Sequence, residues 1–550
     1  MRVLLLAGGT RGDIEPLCAL AHELSHHEKR SFQVDFFVQR NLIPVANHLA
    51  RRPSCDEKAA ASSTFQNDNS SSGSKIRLHV LPFSNQDFYS AVVSRDSTRL
   101  DEKDPRMKSV AQVSAIISSL ILPCYDQVEE VLLTPFIHHK THVDHCTTTE
   151  TEARRTARTC GVAEEAVIVT TFFTRPLAFL LAKIHSLPVV IINLQPTVPN
   201  PLFPSYRVSV QNFVQAIMSY NDTTNNGESS NIPSHSACSN STKTDDPNYA
   251  ETYWRIEKAL ECTFLADQMQ SIYHEKASRR RSSGGDCSRY YNWEDLKRIL
   301  SGQDERFLLV NAYSNHLVPT LAKEVSVKVR EVGPLADAYL PPGGPTHSLV
   351  NFLAENTTTS SRTPICVGFG SMKFAQIRTL LEALQSIQQP AVLVGSHLRV
   401  SDVQGDESET GLRLQEFVQS HIYCASNIPY AWLLPHCSMM ICHGGAGVVH
   451  ACLRAGIPCV VLPVMGDQFA WGALLAAKGL GLVIQRRLDN SQSKDLTIKD
   501  FVYPIQSILH EGSTSNEGES VTKRCRSLGE LIRKQPRSGA AAVADLIGSL

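Results

Sequence analysis

The sequence carries no surplus of charge of either sign: across 550 residues, Lys+Arg 53 stand against Asp+Glu 54, a formal net charge of -1. Binding a phosphate backbone needs a basic face, so nucleic acid is excluded as the main partner. A long uninterrupted apolar run is also missing. The most apolar stretch, Ala166 to Leu194, is broken by Arg175, Lys183, His185 and two prolines. It cannot supply about 18 uncharged residues in a row, so no spanning helix is expected. The opening "MRVLLLAGG" begins like a signal peptide, but its apolar run stops at a glycine turn after about five residues, short of the roughly 7–15 that an h-region needs. A cytoplasmic location is expected, with peripheral membrane contact left open. The 15 cysteines include no CxxC pair and no repeated spacing. Several lie in apolar runs (Cys366, Cys442, Cys459), which reads as buried, reduced thiols. Cys437, Cys442, His443 and His450 are close in sequence, but their spacing matches none of the common zinc patterns. No solenoid-type repeat is present.

What the sequence does contain is globular: 42% hydrophobic and 19% charged residues, long enough for two or more domains. Val3 to Ala7 reads as a short strand ending in Gly8-Gly9. A helical pattern follows from about Glu15 to His26, with Leu17, Leu20, Ala21 and Leu24 on one face, and Phe32 to Val38 is a second strand. Strand, glycine turn, helix and strand open a parallel α/β sheet. Runs from Ala166, Pro188 and Arg306 continue it. The second half restarts the alternation with "PICVGFGS" (Pro364 to Ser371), a helix around Ile377 to Ile387, and strands at "PAVLVGS", "SMMICH" and "PCVVLP". Between the halves, Glu331 to Pro345 is rich in Pro and Gly and reads as a linker. Two α/β domains joined this way place ligands in the cleft, at the carboxyl ends of their strands. Four polar stretches read as insertions: about 55–75, 147–158, 221–246 and 278–286.

His443-Gly444-Gly445-Ala446-Gly447 follows an apolar strand and opens a helix that stops at Gly456-Ile457-Pro458. Small residues there let the backbone approach a ligand, and a helix start offers N–H groups and a positive dipole end, which suits a diphosphate. Asp467 and Gln468 follow the next strand, and an acid beside an amide can engage neighbouring sugar hydroxyls. A packing turn and a polar surface loop are the alternatives for each motif taken alone.

Together these motifs resemble the donor-binding signature of UDP-dependent glycosyltransferases with the GT-B fold. The nearest branch is that of sterol 3β-glucosyltransferases and bacterial macrolide and glycopeptide glycosyltransferases, with Gly456, Pro458 and Pro463 in register. The resemblance implies two Rossmann-like domains facing a central cleft. It puts an acceptor-binding domain at 1–335, a linker at 336–345 and a nucleotide-sugar-binding domain at 346–520. Residues 521–550 would form a C-terminal helix that packs back on the first domain. It implies diphosphate contacts from His443 and the turn Gly444, Gly445, Ala446 and Gly447, and sugar contacts from Asp467 and Gln468. "NIPYAWLLPHC" (Asn427 to Cys437) resembles the uridine-pocket segment, with Trp432 as its aromatic or as core. "VGFGSM" resembles the phosphate loop, with Gly370 and Ser371. "NLQPTVPNPLFPSY" resembles the acceptor-side segment, with Gln195, Pro196 and Phe203.

"GGTRGDIEPLCALAHEL" resembles the opening of sterol and antibiotic glycosyltransferases and places Asp13 where plant relatives carry the catalytic histidine. A carboxylate there would accept the proton of an acceptor hydroxyl, although Asp is also a favoured helix cap. The resemblance therefore implies inverting transfer of a hexose, glucose first, from a UDP-sugar to a lipophilic alcohol such as a sterol. No metal or further cofactor is expected. Val448 and Val449 depart from the family's two threonines. That departure motivates an inactive nucleotide-sugar-binding protein as one alternative, and a lipid-linked N-acetylglucosaminyl transferase is another.

Overall fold

A computed structural model describes residues 1–9, 11–50, 75–84, 86–87, 113–134, 166–196, 254, 257–278, 289–318, 329–335, 345–358, 362–370, 374, 376–395, 398, 400–403, 405–426, 428–464, 467–484, 488–489, 492–493, 496–510, 520–535 and 538–550. The linker 336–344 and most of the four expected insertions lie outside these residues.

The first sheet contains β1 (Arg2–Leu6), β2 (Gln33–Gln39), β3 (Ile76–Leu81), β4 (Ala166–Thr170), β5 (Val189–Asn193), β6 (Phe307–Asn311) and β7 (Val329–Glu331). They are parallel throughout, in the order β3-β2-β1-β4-β5-β6-β7. Helices cover both faces, which is why these strands read as continuous apolar runs instead of alternating ones. Val3 and Leu5 enter one core, while Leu4 and Leu6 enter the other.

The second sheet contains β8 (Ile365–Gly368), β9 (Ala391–Val394), β10 (Ile422–Ala425), β11 (Met440–Cys442), β12 (Cys459–Val461) and β13 (Gly481–Val483). It is also parallel, in the order β10-β9-β8-β11-β12-β13. In each sheet the order in which strands are added reverses once, between β1 and β4 and between β8 and β11. Crevices open at such switch points, beyond the carboxyl ends of the strands. Gly8-Gly9, Gly370 and His443 lie at those ends.

β3 escapes the sequence reading because its polar residues have a private use. Arg77 Nε and His79 Nε2 donate to the Asp35 carboxylate at 2.8 and 2.7 Å, and Arg2 Nε reaches it at 2.7 Å from β1. Asp35 is fully buried. Burial by itself would raise its pKa, but His79, Arg77 and Arg2 outweigh that and hold it at about 2. β7 and β13 are three residues each, too short to carry a pattern.

The C-terminal segment is two helices, not one. Val521–Arg533 packs on the helix Ala446–Ala455 of the second domain, and only Gly539–Ser549 reaches the first helix of the chain, Arg11–Ser25. There Ala540, Val543, Ala544 and Ile547 share a core with Leu17, Leu20 and Leu24. The domains also interlock after β6: Tyr313, Leu317 and Val318 belong to the core of the second domain, although the expected boundary stood at 335. Among the described residues no helix is long and apolar enough to cross a membrane.

Candidate active site

Gly9 follows β1 at φ +132, and its N–H donates to Gln39 Oε1 at 2.9 Å. A side chain at this position would run into Asp13 Oδ2. The glycine therefore lets the Asp13 carboxylate fold over the turn. Asp13 is half-buried and lies inside the first helical turn of Arg11–Ser25, two residues past the helix start, so it is not the N-cap residue. An acid in the first turn still complements the helix dipole.

Across the cleft, His443 follows β11. A Cβ on Gly445 would stand 2.7 Å from His443 Nε2, and one on Gly370 (φ +58) 3.4 Å from Cε1. The ring is thus clasped between two glycines. Burial lowers its pKa to about 4, against a smaller opposing effect of the Gly368 backbone, so the ring is neutral at physiological pH. Its Nδ1 is buried with no hydrogen-bond partner in the protein. The neutral ring therefore brings no positive charge to the site. Gly444 has φ +85, and a Cβ there would collide with Val461 Cγ1. Ala446 is half-buried and Gly447 is exposed, with nothing within 4 Å of a Cβ position, so the first turn of Ala446–Ala455 faces open space.

Asp467 is part-exposed at the start of the helix Gln468–Ala477 and accepts from Trp471 Nε1 at 2.9 Å. Its pKa is raised to about 6. Burial is the main cause, the Trp471 bond opposes it, and the Asp13 charge raises it further; the Ala446 backbone also bonds the carboxylate. Two carboxylates, one from each domain, therefore sense each other across the cleft. Gln468 is 6% exposed, and its Oε1 accepts from Val464 N at 2.8 Å. That oxygen braces the loop, so it is not presented in the way the sequence suggests.

Trp432 is half-buried on the short helix Tyr430–Leu433, its ring 4.9 Å from that of His436. Val449 is fully buried in the core, whereas Val448 is only partly covered. A hydroxyl at position 449 would therefore face the core, and one at 448 the partly open side. Gln195 and Pro196 follow β5, the former half-buried and the latter buried. Ser371 and Phe203 lie outside the described residues. The candidate zinc residues do not converge, because both nitrogens of His450 are taken by backbone groups.

The sequence reading missed Trp471, Tyr430 and Gln39. Trp471 stands four residues after Asp467 on one helix face, a spacing that could have flagged it. Tyr430, whose hydroxyl abuts Gly368, and Gln39 act through tertiary contacts only.

A family model described as the erythromycin biosynthesis protein CIII-like C-terminal domain matches residues 410–515. Sterol 3-beta-glucosyltransferase UGT80A2 of Arabidopsis thaliana is 30% identical over 177 residues, 31% of this chain and 24% of that protein. The sterol 3-beta-glucosyltransferase of Komagataella phaffii is 28% identical over 194 residues, 34% of this chain and 15% of that protein. The chain thus spans a quarter or less of these relatives' length. The structure of CalG4, the calicheamicin glycosyltransferase, superposes with a TM-score of 0.54 at 13% identity, covering 100% of this chain and 97% of that one. The chain has the GT-B fold of these glycosyltransferases. In this GT-B chain the matched segment 410–515 holds Trp432, His443, the glycine turn, Asp467 and Gln468. Asp13, Gln195 and Pro196 lie outside it, in the first domain.

Proposed function

We propose that this protein is an inverting glycosyltransferase that moves a hexose, glucose in the first instance, from a UDP-sugar to the hydroxyl of a lipophilic alcohol, with a sterol as the leading acceptor. One observation carries the reading: Asp13 of the first domain and Asp467 of the second interact electrostatically across the cleft, beside a glycine-lined histidine and a helix start. A diphosphate on the first turn of Ala446–Ala455 would meet backbone N–H groups and the positive end of the helix dipole. His443 adds a neutral hydrogen bond from its glycine clasp, and the half-buried face of Trp432 offers the uracil a stacking surface.

Asp467, held by Trp471, would orient sugar hydroxyls. Asp13 would accept the acceptor's proton as its oxygen attacks the anomeric carbon from the face opposite UDP, the C–O bond to the diphosphate breaking in the same displacement. Charge building on the leaving diphosphate is stabilised by donors already in place. No step is routed through a metal. The sterol assignment is supported by the sterol 3-beta-glucosyltransferases among the relatives.

The test is UDP release from UDP-glucose with and without a sterol mixture, in the unsubstituted protein and in Asp13→Asn. Acceptor-dependent release that drops by about 100-fold or more in the variant is expected, within the usual range for loss of a general base. Binding of UDP-glucose without turnover by either protein, with any lipid alcohol offered, would sink the catalytic reading.

A further inference from the structure

His450 lies on the same helix as the glycine turn, in the middle of Ala446–Ala455, and is 3% exposed. Both ring nitrogens are bonded. Nδ1 is 2.7 Å from the Ala446 carbonyl, one turn back, and Nε2 is 3.1 Å from the backbone N of Ser314, in the segment that follows β6 of the other domain. A carbonyl can only accept and a backbone N–H can only donate. The pairing therefore defines one tautomer, with the proton on Nδ1 and the lone pair on Nε2.

The ring also stands edge-on to Trp471, with centroids 5.2 Å apart, and Tyr313 approaches the opposite partner of that pair, 6.4 Å from the Trp471 ring. Two lines then run from His450 to Asp467. One passes through the Trp471 indole, which packs on His450 and donates to Asp467 Oδ2. The other passes through Ala446, whose carbonyl binds His450 and whose backbone bonds the Asp467 carboxylate.

We propose that His450 is a positioning residue: it clamps the Tyr313–Val318 segment of the first domain onto the second and, through Trp471 and Ala446, sets where the Asp467 carboxylate stands toward the donor sugar. This rests on the transferase reading of the site and adds the residue that registers the two domains on the sugar. Protonation would leave Nε2 with a hydrogen aimed at the Ser314 N–H. Burial, the largest effect, and the nearby Arg454 keep the ring neutral against the pull of the Ala446 carbonyl.

Full-length His450→Asn keeps a donor near the Nδ1 position for Ala446 but cannot reach Ser314, whereas His450→Gln keeps an acceptor near Nε2. Calorimetry with UDP and with UDP-glucose reads the sugar's share of binding, and hydrogen–deuterium exchange of the 312–318 peptide reads the clamp. His450→Asn is expected to speed exchange and to weaken UDP-glucose by about five-fold, the size of one displaced hydrogen bond, while UDP itself stays within about two-fold. His450→Gln should restore both readings. A merely structural role would lower both affinities together. An unchanged UDP-glucose to UDP ratio in His450→Asn overturns the proposal, as does equally fast exchange in the unsubstituted protein. Should His450→Asn fail to fold, Trp471→Phe deletes the Nε1 donor while keeping a ring, and an unchanged ratio there overturns it equally. If the unsubstituted protein binds neither ligand, the transferase reading fails, and the exchange measurement still decides whether the clamp exists.

Discussion

Asp467 shows how one residue's setting converts into a measurable pH dependence. Its pKa, raised to about 6, leaves it ionised at neutral pH and protonated below about 6. Protonation removes acceptor capacity toward sugar hydroxyls. The KM for the UDP-sugar should therefore rise as pH falls through about 6, while kcat measured at saturating donor changes less. Asp467→Asn should raise KM at neutral pH and abolish that dependence. A flat KM between about pH 5 and 7 in the unsubstituted protein would contradict the assignment. Asp467 was visible in the sequence because its place after a strand and beside Gln468 is a local pattern. Its bond to Trp471 and the repulsion it feels from Asp13 were not, since desolvation and charge coupling depend on what packs around the carboxylate.

At the scale of the element, the helix Ala446–Ala455 has two sides with opposite demands. Val448 is partly covered near the open first turn, and Val449 is sealed in the core. Val448→Thr adds a hydroxyl beside the end proposed to receive the diphosphate and should tighten UDP binding, by about two- to five-fold for one modest hydrogen bond. Val449→Thr buries a hydroxyl among apolar neighbours and should destabilise the domain by about 1–3 kcal/mol. Thermal melts with calorimetry on the two variants separate the effects; equal outcomes would show that the helix faces are not distinguished as described. The sequence places both valines just after the glycine turn, but only helix rotation in the folded domain assigns them to different surroundings.

At the scale of the molecule, acid should weaken the two domains in different windows. His443 and His450 have folded pKa values of about 4, below the ordinary 6.5, so the unfolded chain takes up their protons first. Their stability contributions are present above about pH 6.5 and are lost as pH falls toward 4, on the order of 3 kcal/mol each. Asp467 acts oppositely: its folded pKa is raised, so it favours the folded state as pH falls from about 6 to 4. Two histidines against one carboxylate leave a net loss. Asp35, in the first domain, has a folded pKa of about 2, and its contribution persists until pH falls below about 4. Melting curves from pH 7 to 3 should show the second domain weakening first. Asp35→Asn should lower the melting temperature at pH 7 and remove the loss below pH 4. Parallel acid sensitivity of both domains would refute this order.

The sequence by itself determined the apolar strands of both sheets and the local motifs. The runs at Val3, Ala166 and Pro364 became buried parallel strands because apolar residues covered on two faces leave no other economical arrangement. The turn at His443 to Gly447 and the Asp467-Gln468 pair were legible because backbone conformation and spacing are set by near neighbours. Only the tertiary structure decided what those residues are bonded to. It buried Gln468 and Val449, divided the C-terminal segment into two helices on different domains, recruited β3 through Asp35, and joined Ser314 to His450 and Trp471 to Asp467. These partners lie up to 136 residues apart. Hydrogen bonds and desolvation act over a few ångströms in space, and distance along the chain carries no record of them.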